Sequence, residues 1–268
     1  MFKEKFLQWS SVFNAGPGKN KISYTLDKYS AYFLGLNSEN QKEFIRRTGL
    51  FIKSMEFKAV GNHLVSDEMR ILIASGFVQI TFGLEHFVFN HFQKILITPR
   101  EYNFRGFKGK LLGHVDYKHR LITLSWENSK YGFKVEDDAH NAVLHEMAHA
   151  IEFENRKWLK VFHRSKGGFG IFNYVISVIL PGNYFLFEQE LYRKWLDIAR
   201  REMKIMNSNK EYFLKQYAAK NIHEYFACSV EAFFEQSASM KSALPEVYNT
   251  LAELLNQDPL KPNNIRLN

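Results

Sequence analysis

Residues 141–150 read "NAVLHEMAHA": two histidines four apart, a glutamate directly after the first, and apolar residues in most other places. Val143, Leu144, Met147, Ala150 and Ile151 give the stretch the pattern of a mostly buried helix. On an α-helix, residues i and i+4 share one face, so His145 and His149 can present imidazole nitrogens to a single metal ion. Glu146 lies about 100° further round the helix, where it reaches a water on that ion without taking a coordination position. Zinc held by three protein ligands lowers the pKa of its water to about 7, so the neighbouring carboxylate can take the proton as the hydroxide attacks a carbonyl. The ordinary alternative is a chance His-Glu-x-x-His match on a core helix. Against it, burying two histidines and a glutamate is costly without a partner, and zinc supplies one.

Outward from this helix, the chain reads as α+β. Asp137 or Asp138 is expected to cap the metal helix, which runs to about Phe153. Before it, "KILITP" (Lys94 to Pro99) and "RLITLSW" (Arg120 to Trp126) are short β-branched or aromatic runs bounded by turn residues, hence strands. The second is expected to offer a free edge to an extended substrate. Ser38 followed by Gln41 resembles a capping box opening a helix to about Met55, and "DEMRILIASGFVQITF" after Ser66 predicts another that stops at Gly83. No repeat or Pro/Gly/Ser-rich linker divides the chain, so a single domain over residues 1–268 is expected, with a helical N-terminal part over 1–60. A small sheet with helices packed on it before and after is the expected architecture.

With 268 residues, 46% of them hydrophobic, the chain can bury a sizeable core. Its net charge of +8 is scattered, with the densest groups at Lys19 to Lys21 and Arg200 to Lys204, a pattern of solubility and not of a nucleic-acid interface. The single cysteine, Cys228, excludes a disulfide within the chain and every Cys-rich zinc finger, and suits a reducing compartment. The N-terminal "MFKEKFLQWSSVFN" lacks the continuous apolar core of a secretory signal, so export is not expected and a cytoplasmic location is. The stretch "GFGIFNYVISVILPGNYFLF", residues 168–187, is an apolar insertion broken by Asn173, Pro181, Gly182 and Asn183. Its unbroken runs fall far short of the roughly 20 residues a spanning helix needs, so a core segment is favoured over a lid or a membrane-surface contact.

A hydrolytic zinc has a third protein ligand and one open position. The metzincin pattern fails, because position 155 is Asn where it needs His and position 152 is Glu where it needs Gly. Downstream, "YAAKNIHEYFACSVEAFFEQ" (Tyr217 to Gln236) carries Glu224, Cys228 and Glu231 on one helical face. One of the three is expected to complete the site. Asn221 can cap that helix, and Glu224 then occupies the reciprocal position of a capping box, which competes with a ligand role.

The sequence resembles the Mlc titration factor A family of bacterial zinc peptidases, gluzincins that are themselves similar to the catalytic domain of anthrax lethal factor. "DEMRILIAS" is similar to the family's first core helix, "LITLSW" to the strand before the metal helix and "VLHEMAHAIE" to that helix. "YAAKNIHEYFACSVEAFFEQ" with "PEVYNTLAELLNQDP" resembles its C-terminal signature, in which a Tyr, an Asn four later and a Glu three after that recur. The resemblance implies a zincin-like fold with a small sheet, zinc held by His145, His149 and Glu224, Glu146 as general base and Tyr217 as oxyanion donor. It also implies hydrolysis of peptide bonds in peptide or protein substrates, an aminopeptidase-like activity, and binding of a glucose-responsive transcriptional repressor. The chain departs from the family at Glu152, where Asp is usual and a redirected contact is expected, at Cys228, where lethal factor has a carboxylate and a small buried thiol is expected, and from Trp158 to Met206, which has no aligned counterpart. A rival reading is a protein-binding regulator whose metal site is vestigial or structural, and a weaker one is a membrane-surface peptidase docked through residues 168–187.

Overall fold

The helices Lys19–Tyr29 (α1), Ala31–Gly35 (α2) and Ser38–Ser54 (α3) precede the sheet. The computed structural model describes residues 16–166 and 186–265, apart from 62, 86, 87, 105, 107, 136 and 210, with the backbone alone at 157–166 and 264. α3 is capped one residue earlier than the sequence pattern indicates: Asn37 Oδ1 accepts from the Asn40 N–H at 2.9 Å. Gln41 does not close a capping box but donates from Nε2 to the Phe33 carbonyl at 3.1 Å, tying α3 back to α2.

Strand Glu56–Ala59 (β1) leads to helix Asp67–Thr81 (α4), which starts where expected. Ser66 Oγ accepts from the Met69 N–H at 3.2 Å, and Asp67 and Glu68 sit in the first turn, where the helix dipole favours negative charge. Every residue from Ile71 to Thr81 is buried, so α4 is the central helix, covered on all sides. Gly76 allows its close approach to the metal helix, since a Cβ there would fall 2.5 Å from Val143 Cγ1.

The two expected strands form as Lys94–Thr98 (β2) and Leu121–Ser125 (β6). Between them come the short ribbon strands Tyr102–Asn103 (β3) and Lys110–Leu111 (β4), and then Gly113–Asp116 (β5). The four-stranded sheet has the order β1-β2-β6-β5, with β1, β2 and β6 parallel and β5 antiparallel to β6 in the register Gly113↔Leu124 and Asp116↔Leu121. This corrects the expectation of a free edge on Arg120 to Trp126. β6 is paired on both sides, and the sheet ends on β5. The physical reason is the four-residue turn Tyr117–Arg120, with Arg120 at φ +59, which folds β5 back along β6.

Helices Trp126–Gly132 (α5), Ala142–Lys166 (α6), Gln189–Ser208 (α7), Ile222–Glu235 (α8), Ser237–Ala243 (α9) and Pro245–Leu255 (α10) complete the chain, with a 3-10 turn at Gln216–Lys220 before α8. α6 lies between α4 and α8 and touches β5 and β6. One hydrophobic cluster joins all of these, and includes Leu72 and Phe77 of α4, Leu144 and Met147 of α6, and Val230 and Phe233 of α8. Of the apolar insertion, 168–185 lies outside the described residues. Leu186 and Phe187 are described, and Phe187 is buried with its ring 5.7 Å from that of Tyr192. Among the described residues, no helix is long and apolar enough to cross a membrane.

Candidate metal centre

The metal helix α6 begins later than Asp137 or Asp138 would set it. Asn141 is its cap: Oδ1 accepts from the Val143 and Leu144 N–H groups, both at 3.1 Å. The two aspartates lie before a turn at Ala139, whose φ of +51 breaks the helical path, and Asp138 Oδ1 accepts instead from His140 N–H. The helix also runs beyond Phe153, to Lys166.

On the facing helix α8, Asn221 Oδ1 accepts from the His223 and Glu224 N–H groups at 2.9 and 3.0 Å, so the expected cap forms. The Glu224 carboxylate turns towards α6 and not back to the cap. Its Oε2 lies 3.2 Å from His145 Nε2 and 3.2 Å from His149 Nε2, and the two Nε2 atoms are 3.1 Å apart. A tetrahedral ion with ligand distances of about 2.0–2.1 Å has edges of about 3.3–3.4 Å between its ligand atoms. The triangle therefore has the size of one face of such a site, and the donor set of two imidazoles and a carboxylate is one that holds a metal ion. Burial pushes the Glu224 carboxyl up, but the hydrogen bonds it shares with His145 and His149 outweigh this and hold it well below the ordinary carboxylate range.

The other two candidates on α8 stand behind this triangle. Glu231 Oε2 lies 3.1 Å from His145 Nδ1, while its Oε1 accepts from the Asn141 N–H at 2.9 Å. One carboxylate thus orients the imidazole and clamps the start of the metal helix, the part played by outer carboxylates at metal-ligating histidines. Cys228 is buried beside them, and with His145 and Glu231 it makes a second group of potential ligand atoms within 4.8 Å of one another.

Glu146 is buried at 8% exposure, against the start of β5. Its desolvation raises the carboxyl above its ordinary value, and the charges of His145 and His149 offset this only in part. Tyr102 on β3 has its phenol pushed up to about 12 by burial and then by the charge of Glu146. Tyr217, on the 3-10 turn, donates from its hydroxyl to Glu224 Oε1 at 2.9 Å. Burial, and after it the charge of Glu224, raises this phenol above its ordinary value. All five residues singled out in the sequence, His145, Glu146, His149, Tyr217 and Glu224, line one cavity of about 620 Å³.

Glu152 is directed away from the triangle. Its Oε1 accepts from Tyr192 OH at 2.8 Å and lies 3.1 Å from Arg156 Nε, while Oε2 lies 2.8 Å from His223 Nδ1. The support expected from this position comes from Glu231 instead. Gly113 and Tyr102 carry no motif that ties them to the site, although an isolated glycine inside a strand is a signal for close approach of another group.

A curated relative from Synechocystis sp., described as an uncharacterized protein, is 20% identical over 244 residues, which cover 85% of this chain and 81% of the relative. The model of the family described as glucose-regulated metallo-peptidase M90 matches residues 7–158 and 182–255. The stretch without a family counterpart is therefore shorter than Trp158 to Met206, because the match resumes at Gly182 and takes in all of α7. All three residues of the triangle, His145, His149 and Glu224, lie inside the match, although α6 runs past its first segment. The chain belongs to this metallopeptidase family, the one that includes Mlc titration factor A.

Proposed function

We propose that this protein is a zinc-dependent peptidase of zincin-like fold and a single domain, with His145, His149 and Glu224 as ligands and Glu146 as general base. The observation that carries the reading is the triangle of ligand atoms with edges of 3.1, 3.2 and 3.2 Å at the wall of an open cavity. A purely structural zinc is closed in by four protein ligands, whereas a hydrolytic one keeps a position open to the substrate. That difference favours the enzyme over a regulator with a vestigial or structural site.

Zinc held there would supply Lewis acidity for hydrolysis of the scissile bond. The residues do the rest. Glu146, with its carboxyl raised by burial, accepts a proton and returns it to the leaving amine. Glu231 holds the His145 ring with Nε2 turned to Glu224 and His149, the residues that would hold the ion with it. Tyr217 reaches the site through Glu224, and as oxyanion donor its hydroxyl turns from that carboxylate to the developing charge on the substrate. An extended substrate is aligned along β5, the strand that ends the sheet beside the cavity.

A cytoplasmic location fits the buried free thiol of Cys228 close to the ligands. Binding of a transcriptional repressor is a second role that the family resemblance implies. The deciding experiment compares the zinc-loaded protein with Glu146→Gln on a peptide library read by mass spectrometry. The variant is expected to keep its zinc and lose on the order of 100-fold or more in turnover. Equal turnover by the two proteins would refute the mechanism. Peptides with free and blocked N-termini in the same library test the aminopeptidase mode.

A further inference from the structure

Three turns of α6 border the cavity. Ala142, Glu146, His149 and Phe153 all line it and stand three or four residues apart, so they share one face of the helix. β5 runs beside α6 in the same direction: Gly113 lies against Glu146, and the ring of Tyr117, just past the strand, lies 6.0 Å from that of Phe153. Val115 faces α6 as Gly113 does, two residues along the strand, and also lines the cavity. The hydrolytic chemistry ends at His149. Phe153, one turn and about 6 Å further along the helix, has no part in it.

This ring is half-buried and held on several sides. The rings of His149 and His223 lie 6.5 and 5.9 Å from it, and Arg156 Cζ stands 4.6 Å from its centre. That guanidinium is itself fixed, with Nε 3.1 Å from Glu152 Oε1 and Nη1 2.9 Å from His223 Nε2, while His223 Nδ1 lies 2.8 Å from Glu152 Oε2. The charges beside the ring are therefore paired with one another. A half-buried phenylalanine on a convex surface needs no explanation. Phe153 instead faces a cavity, in line with the proposed metal ligands, and apolar walls with a few fixed polar groups are what a ligand pocket is made of. An extended peptide advances about 3.3 Å per residue, so the span from His149 to Phe153 corresponds to roughly two residues of substrate.

We propose that Phe153 is a specificity-determining residue: with Val115 and His223 it forms an apolar subsite for a large aliphatic or aromatic side chain of the substrate within two residues of the scissile bond. This rests on the peptidase reading above. Zinc-loaded protein would be given matched peptides in which each of the two positions on either side of the cleaved bond is in turn Trp, Phe, Leu, Ala or Lys. A preference for Phe and Leu over Ala of about tenfold or more in kcat/KM is expected at one of these positions, with Lys poorest because its charge would meet Arg156. Added salt leaves the preference for Leu over Ala unchanged, since no charge carries it. Phe153→Ala opens the subsite, so the Leu-to-Ala ratio should fall to within about threefold and Trp should gain on Leu. Phe153→Leu keeps an apolar wall and should retain most of the preference. These are ratios within one variant, so a smaller folded fraction does not alter them. Equal rates for Phe, Leu, Ala and Lys at every position, or parental ratios in Phe153→Ala, would overturn the proposal. Absence of cleavage above the Glu146→Gln background would instead refute the peptidase reading. Binding of the same labelled peptides to zinc-loaded Glu146→Gln with and without Phe153→Ala, followed by fluorescence anisotropy, tests the order of side chains independently of turnover.

Discussion

Gly113 and Glu146 occupy one space: a Cβ built on the glycine falls 2.3 Å from Glu146 Cγ and 2.7 Å from its Oε1. β5 thus sets the position of the carboxylate on α6 through the absence of a side chain. Gly113→Ala is expected to leave zinc stoichiometry intact and to displace the base. A shift of about 1 Å at a reacting group costs on the order of 100-fold in rate, so kcat/KM should fall by about that factor. Metal analysis and peptide turnover on one sample check it, and unchanged turnover would mean that Glu146 has another rotamer that serves as well.

Glu224 and Glu231 flank His145 on opposite ring nitrogens, at 3.2 Å from Nε2 and 3.1 Å from Nδ1. Their alanine variants should therefore differ. Glu224→Ala removes the proposed third ligand and leaves the Asn221 cap in place, and it should abolish stoichiometric zinc binding. Glu231→Ala should weaken affinity by about 10- to 100-fold while a full equivalent still binds at saturation. Competition titration with a chromogenic chelator reads both, and the reverse pattern would exchange the two roles.

Tyr217 separates two behaviours that look alike at rest. Its hydroxyl donates to Glu224 at 2.9 Å, and an oxyanion donor must leave that partner as the substrate's charge develops. Tyr217→Phe should lower kcat and leave KM and zinc affinity nearly unchanged. A fall in zinc affinity with normal kcat would show that the phenol serves only to orient the ligand.

Removal of the metal should be visible as lost stability. The proposed ligands come from α6 and α8, two helices that face each other in the core. An ion that binds only the folded state stabilises it by about 2.7 kcal/mol at 100 times its Kd. Chelation should lower Tm, and zinc should restore it in the parent but not in Glu224→Ala.

Arg47 offers a test of the fold away from the site. It is 4% exposed, donates from Nη1 to the carbonyls of Phe82 and Leu84 at 3.0 and 3.1 Å beyond the end of α4, and pairs with Glu43 at 2.8 Å. Arg47→Met should cost about 1–3 kcal/mol for each buried carbonyl left without its donor, since Glu43 keeps its pairing with Arg46. Burial raises the Glu43 carboxyl, but hydrogen bonds from Arg46 and Arg47 outweigh it and hold it below its ordinary value. A depressed carboxylate contributes stability in full above its unfolded pKa of about 4.3 and loses it as pH falls through the folded value. Acid unfolding monitored by circular dichroism should show this sensitivity in the parent and less of it in the variant.

Much of the site could be read along the chain because its parts follow local periodicity. His145 and His149 share a helical face by spacing alone, and Asn221 caps α8 through its own side chain. Ser66 and the two strands at Lys94 and Leu121 were legible for the same reason. Caps next to irregular turns were not. Asn37 took the role expected of Ser38, and Asn141 that of Asp137 or Asp138, because backbone angles such as that at Ala139 depend on contacts remote in sequence.

The sequence by itself determined the chemistry available: two imidazoles and a carboxylate on one helix, a choice of three ligands on another, and apolar faces that require the two helices to be buried. Only the tertiary structure set those candidates apart in their surroundings. Glu224 and Glu231 lie on one face of α8, and local periodicity treats them alike. Packing of α8 across α6 places one against Nε2 and the other against Nδ1 of the same ring. The strand that borders the cavity was likewise a tertiary outcome, since a strand's edge is free or paired according to hydrogen bonds made by other segments of the chain.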